Sequence, residues 1–305
     1  MMRPTRVGTL AAAAAGLTIL AGTPRTLEAQ DEVNLYLSVV DLNGDPVTTL
    51  QADQVAVIED GVRRETKELR LLDAPLRLTV LVDNSNTTTQ IIEFIRRGVI
   101  AFLERLPEGA EVELVAIGGR ARVVERRTTD RAAVIGAVGE IAPDRGTAHY
   151  VDGLMEALSR YEDMDDEPKH WPVLMMITAN GTEGSNARDR DVERLNEGYF
   201  NLAATVHTLF LRVSPMATRD ILQDDLTNVF VQNTGGIREE ATLAEDILDK
   251  MTRLADAIAA KHRLQSQQYL VVYERPDGAE PKQIQLDTGG ISGVQIAASG
   301  DGRIR

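Results

Sequence analysis

The sequence predicts an α/β chain: a doubly wound, mostly parallel central sheet, with a small β module built from the N- and C-terminal flanks. Three observations carry this. The runs at 76–82 (LRLTVLV) and 172–178 (PVLMMIT) are almost wholly apolar, as strands buried on both faces are. Segments with apolar residues at helical spacing alternate with such strands across 76–263, the pattern of a parallel sheet covered by helices on both sides. Outside that region, 33–40 (VNLYLSVV), 268–274 (QYLVVYE) and 282–287 (KQIQLD) have the composition of half-buried strands.

The first residues differ from the rest. Arg3 and Arg6 supply positive charge, Leu10 to Ala21 is an unbroken apolar or small run, and Leu27-Glu28-Ala29 ends on a small residue. This order predicts a secretory signal peptide over 1–29. As a helix the run would cover about 18 Å, short of the ~30 Å hydrocarbon core, so a membrane anchor is the poorer reading. No later run is long enough to span a bilayer, and the expectation is an exported protein, periplasmic or secreted. The chain has no cysteine, which excludes disulfides, thiolate metal sites and a cysteine-linked lipid anchor.

Of 305 residues, 43% are hydrophobic and 26% charged, enough to bury an ordinary core. A net charge of −14 repels nucleic acid and anionic lipid, so no nucleic-acid partner is expected.

An N-terminal β segment covers 30–74, with turns at Asn43-Gly44 and Asp60-Gly61. The α/β domain covers 75–264, opening after Pro75 with the first buried strand. Ile91, Ile92, Ile95, Val99, Phe102, Leu103 and Leu106 then recur at helical spacing, and Pro107 and Gly109 end that helix. Strands follow at 111–117 and 121–127, and a helix at 130–141 whose first turn suits Asp130. A further helix runs over 150–161, and the acidic stretch 161–170 reads as a loop. After the second buried strand come a polar loop at 180–188, a helix to 203, a strand at 205–213 and a short strand at 228–232. Thr234-Gly235-Gly236 turns the chain into a long helix at 241–263, with Leu243, Ile247, Leu248, Met251, Leu254 and Ile258 expected on one face. A C-terminal β-hairpin is expected over 265–288, turning at Pro276-Asp277-Gly278, and a flexible tail over 289–305.

In sheets of this class ligands sit at the loops after the C-terminal strand ends. Directly after the first buried strand stands Asp83-Asn84-Ser85-Asn86-Thr87, with a carboxylate and two hydroxyls at alternate positions. Thr147, in the loop before the helix at 150, offers another hydroxyl, and Asn180 follows the second buried strand. These are hard oxygen donors, suited to Mg²⁺ or Mn²⁺ rather than zinc.

On these residues the sequence resembles the von Willebrand factor A family, in particular its bacterial exported members. The family's metal-dependent adhesion site (MIDAS) combines Asp-x-Ser-x-Ser, a distant Thr, and an Asp in a Thr-Asp-Gly turn. Asp83, Ser85 and Thr87 match the first element with Thr for the second Ser, Thr147 matches the distant Thr, and Asn180 stands where the last Asp is expected. Asp41-x-Asn43-Gly44-x-Pro46-Val47 and Glu59-Asp60-Gly61 resemble the β segment before the domain. Thr234-Gly235-Gly236 and Gln268–Tyr273 resemble its C-terminal end. The resemblance implies a Rossmann-like fold and a protein-binding function in which an acidic residue of the partner completes the metal's octahedron. A unit charge ~4 Å from the ion, at an effective dielectric near 20, is worth up to about 4 kcal/mol, so the lost carboxylate at 180 should weaken the site.

The enzyme reading is the poorer one. A haloacid dehalogenase-like phosphatase would need a proton-shuttling carboxylate where Ser85 stands, and no lysine follows Thr178 until Lys250. His149, His170, His207 and His262 are isolated, and no metalloprotease, nucleophile-elbow, Walker or dinucleotide motif occurs. The remaining alternative is a scaffold that binds through other surfaces, with the metal site inert.

Overall fold

The computed structural model describes residues 31–164, 168–213, 222–275, 281–287, 289 and 291–304. The expected signal peptide and the turn at 276–278 lie outside them.

The N-terminal flank supplies β1 (Asp31–Asp41), β2 (Ala56–Glu59), β3 (Val62–Arg64) and β4 (Thr66–Leu71). The central region runs β5 (Arg77–Val82), α1 (Ile92–Arg105), β6 (Glu111–Ala116), β7 (Arg122–Thr128), α2 (Arg131–Gly139) and α3 (Tyr150–Glu162). It continues with β8 (Val173–Ala179), α4 (Asp189–Asn201), β9 (Thr205–Leu211), α5 (Leu222–Thr234), β10 (Arg238–Ala241) and α6 (Asp246–Ser266). The C-terminal flank adds β11 (Tyr269–Arg275), β12 (Ile284–Asp287) and β13 (Val294–Ser299).

The central sheet has the order β10-β9-β8-β5-β6-β7, parallel throughout except for β7, which runs antiparallel to β6. Alternation along β5 sets its two faces. Leu78, Val80 and Val82 pack with residues of α1, α2 and α6 on one side. Leu81 packs with α3, α4 and α5 on the other. Every residue of β5, β8 and β9 is buried, each large apolar side chain contributing roughly 1.5–3 kcal/mol. The chain leaves β5 for β6 on one side and later returns to β8 on the other, so the order reverses at β5. Loops diverge there and leave a crevice at the strands' C-terminal ends.

The two flanks pair. β1 lies antiparallel to β11, with Leu35 opposite Val271, in a sheet of order β13-β1-β11-β4, and β12 pairs with β2 in a sheet of order β12-β2-β3. Leu35, Leu37, Val39, Val55, Val57, Tyr269, Val271 and Tyr273 form their shared core.

Four local expectations are corrected. Residues 228–232 are helical, within α5, because Leu226 and Phe230, one turn apart, fill the core against α3 and β9. A short apolar run does not by itself distinguish the two states. The expected C-terminal hairpin is absent, since β11 and β12 belong to different sheets. The described residues of the expected tail over 289–305 are not loose: β13 covers the edge of β1, and the Trp171 indole N–H donates to Asp301 O at 2.9 Å. In α6, Leu248 is 50% exposed and Leu243, before the helix, 61% exposed. Of the six residues expected on one face, Ile247, Met251, Leu254 and Ile258 do face the core.

Candidate metal centre

Asp83 follows β5, and its N–H donates to Ile177 O at 2.8 Å, extending the pairing with β8 by one residue. Its carboxylate is fully buried. Oδ1 accepts from Ser85 N at 2.9 Å and Oδ2 from Ala179 N at 3.1 Å, with Thr178 Oγ1 at 3.5 Å. Burial pushes its pKa above the ordinary aspartate value; the Ser85 hydroxyl and the N–H groups of Ser85 and Ala179 oppose this, while the negative charge of Glu183 adds to the rise. Among the described residues no cationic side chain pairs with it.

Ser85 is also fully buried. Its hydroxyl stands close enough to lower the pKa of Asp83, yet among the described residues its Oγ makes no hydrogen bond of normal geometry. The backbone then makes a 3₁₀ turn over Asn86–Ile91, anchored where Thr88 Oγ1 donates to Asp83 O at 2.9 Å.

Three loops are drawn together here. Asn84 holds two of them: its Oδ1 accepts from Gly118 N at 2.8 Å, its Nδ2 donates to Ala142 O at 2.7 Å, and its carbonyl accepts from Asp144 N at 2.6 Å. Asn86 N donates to Gly146 O at 3.0 Å, which brings Thr147 beside the first loop. The third loop closes over both. A β-carbon at Gly181 would collide with Thr87 Oγ1, and one at Gly184 with Thr147 Oγ1, so only glycine permits these approaches. Gly184 N also donates to Ala148 O at 2.7 Å. Asp83, Ser85, Thr87 and Thr147 therefore share one rim.

Asn180 sits at that rim with its side chain engaged elsewhere. Its Oδ1 accepts from Val213 N at 2.9 Å and its N–H donates to Leu211 O at 3.0 Å, tying the loop to the end of β9.

Sequence reasoning missed Glu183 and Gln223. The Glu183 carboxylate accepts from Tyr150 N at 3.1 and 3.2 Å, from Val151 N at 3.5 Å and from Ser185 N at 3.0 Å. Gln223 Nε2 donates to it at 2.9 Å. The available signal was a lone acid in a polar loop after a buried strand, three residues beyond Asn180. Asp152 pairs with His149, Nδ1 to Oδ2 at 2.8 Å. His207 belongs to the core: its Nδ1 accepts from Ile237 N at 3.2 Å, and burial lowers its pKa to about 3.

Among the described residues no three His, Cys, Asp or Glu side chains converge in a metal-binding group. A cation at this rim would rely on hydroxyls beside one buried carboxylate. The unpartnered Ser85 Oγ and the hard-oxygen donor set fit such an ion.

No family model and no curated protein matches the chain. Among solved structures, a von Willebrand factor type A structure from Catenulispora acidiphila aligns over 89% of this chain and 73% of its own, at 11% identity and a TM-score of 0.50. An aerotolerance-related membrane protein from Bacteroides fragilis aligns over 60% of this chain and 99% of its own, at 13% identity and a TM-score of 0.44. Mussel byssus proximal thread matrix protein 1, with a zinc-occupied MIDAS motif, aligns over 71% of this chain and 50% of its own, at 11% identity and a TM-score of 0.47. With the helix-covered sheet, its order and its crevice in place, the first of these likenesses establishes that the chain has the von Willebrand factor type A fold.

Proposed function

We propose that the chain is an exported, non-enzymatic protein-binding module that captures its partner through a divalent cation at the C-terminal rim of the central sheet. The observation that carries this reading is the pair Asp83–Ser85: among the described residues, a fully buried carboxylate without a cationic partner stands beside a buried hydroxyl without a hydrogen bond of normal geometry. Both groups cost stability as they stand, and a hard cation satisfies both. Asp83, Ser85, Thr87 and Thr147 would hold Mg²⁺ or Mn²⁺, with Asn180 at the edge of the set. The bound ion supplies the positive charge to which an acidic side chain of the partner attaches.

The non-enzymatic part is supported by Ser85 itself, a poor proton shuttle at the position where a phosphatase of the dehalogenase type needs an acid. Export is supported by the charged start and the apolar run of 10–21. No helix among the described residues is long and apolar enough to cross a membrane.

Calorimetric titration with Mn²⁺ and with Mg²⁺ tests the reading. Saturable binding is expected, lost in Asp83→Ala and Ser85→Ala variants that melt cooperatively in chelator. Absence of binding by the unaltered protein at millimolar metal would overturn it and leave the scaffold reading.

A further inference from the structure

The residue that stands in the acidic position of the resemblance, Asn180, turns its side-chain oxygen to Val213 N–H. Three residues on, Glu183 is directed inward. It is gripped by N–H groups at the start of α3, by Ser185 N–H in its own loop, and by the side-chain amide of Gln223 in the first turn of α5. Gln223 is fully buried and reaches the metal rim as well: its Oε1 lies 3.4 Å from Thr178 Oγ1, which lies 3.5 Å from Asp83 Oδ2. A chain of side chains, buried at Asp83, Thr178 and Gln223 and partly buried at Glu183, thus joins the two carboxylates. The glycines flanking Glu183 are those pressed against Thr87 and Thr147, so the loop that carries it is seated on the rim hydroxyls. The buried, unpartnered Ser85 Oγ at that rim is the independent sign that a ligand belongs there. The charge of Glu183 is also felt at Asp83.

We propose that Glu183 supplies the metal site's second negative charge, acting through its field, with Gln223 and the N-terminus of α3 as its positioning groups. The carboxylate count that Asn180 lowers at the level of sequence is thereby kept in three dimensions. The Glu183 oxygens are turned to the N–H groups of Tyr150 and Ser185 and to the Gln223 amide, so its charge reaches the ion through space rather than by ligation. The inference rests on the metal-binding reading above.

The experiment is Mn²⁺ titration of the full chain as wild type, Glu183→Gln, Asn180→Asp and the double variant. Glu183→Gln is isosteric; its oxygen can keep the Tyr150 and Ser185 N–H groups, and its amide can donate to a flipped Gln223. Two unit charges about 7–12 Å apart, at an effective dielectric near 20, change affinity by roughly ten- to fiftyfold, and a divalent ion raises this before solvent and salt screen it. Glu183→Gln is therefore expected to bind Mn²⁺ about tenfold or more weakly, and the double variant to recover most of that loss, which a merely structural role would not allow. Glu183→Asp, which keeps the charge, is expected to stay within about threefold of wild type; it is the variant to read if Glu183→Gln does not melt cooperatively in chelator. Unchanged affinity in Glu183→Gln, a loss that Asp at 180 does not restore, or a Glu183→Asp variant that folds but loses binding overturns the inference while leaving the metal site standing. Failure of the wild type to bind overturns the underlying reading instead.

Discussion

Gly184 and Thr147 are in such close contact that a β-carbon on the glycine would overlap the threonine hydroxyl. The loop after β8 and the loop before α3 are held together by this absence of a side chain, and by Gly184 N donating to Ala148 O at 2.7 Å. Gly184→Ala is expected to push Thr147 Oγ1 off the rim. Overpacking of this kind costs about 1–3 kcal/mol. The check is a paired measurement: Mn²⁺ affinity should fall more than tenfold, roughly 1.4 kcal/mol or more, while the fold survives. A variant that binds Mn²⁺ as well as wild type would remove Thr147 from the site.

Asn84 is a spacer in the sequence motif but a tie in the structure. Asn84→Ala leaves Gly118 N–H without its acceptor and Ala142 O without its donor. Each buried group left unsatisfied costs about 1–3 kcal/mol. Urea unfolding should show a midpoint lowered by a corresponding amount with little change in slope. An unshifted midpoint would mean that water replaces both bonds.

Glu59 anchors the β module. It is 1% exposed, accepts from Tyr273 Oη at 2.6 Å and from Arg275 Nη2 at 2.6 Å, and pairs with Arg64. Burial acts to raise its pKa, but the hydrogen bonds from Arg275, Tyr273 and Arg64 outweigh it and hold the pKa below the ordinary glutamate value of 4.5. A depressed folded-state pKa means stability present above 4.5 and lost as pH falls through the folded value. Glu59→Gln is expected to cost about 3–5 kcal/mol at neutral pH, as loss of one partner of a buried pair does. The difference between variant and wild type should narrow as the pH is lowered below 4.5, which denaturation at a series of pH values measures.

Trp171 is the single tryptophan, so its fluorescence reports one place. Gly302, at φ +75, lies where a β-carbon would collide with the indole, and Asp301 O accepts the indole N–H at 2.9 Å. Gly302→Ala meets both an unfavourable backbone conformation and the ring, and should cost about 1–2 kcal/mol. The emission of Trp171 should shift to the red as the segment detaches. Emission unchanged from wild type would show that the C-terminal residues do not cover it.

Much of the central architecture was readable from local pattern. The runs 76–82 and 172–178 have no polar face, so both sides must be covered, and helices with one apolar stripe are what covers them. The motif beginning at Asp83 was readable for the same reason: a polar, oxygen-rich cluster directly after such a strand can only lie at its open end. Less was readable where the stabilising partner is remote. Glu183 meets Tyr150 and Gln223 across 33 and 40 residues of chain. β13 is held by pairing with β1 at the opposite end of the sequence, and the glycines and serines around it gave no sign of it.

The sequence by itself determined which segments are apolar on one face or two, where turns interrupt them, and that a carboxylate and hydroxyls follow a buried strand. Tertiary structure alone decided which strands share a sheet, that Asn180 turns toward Val213, and that Glu183 is the acid held beside the crevice. The physical reason is that periodicity records how much surface a segment must bury, while the choice of partner depends on donors, acceptors and cavities supplied by distant parts of the chain.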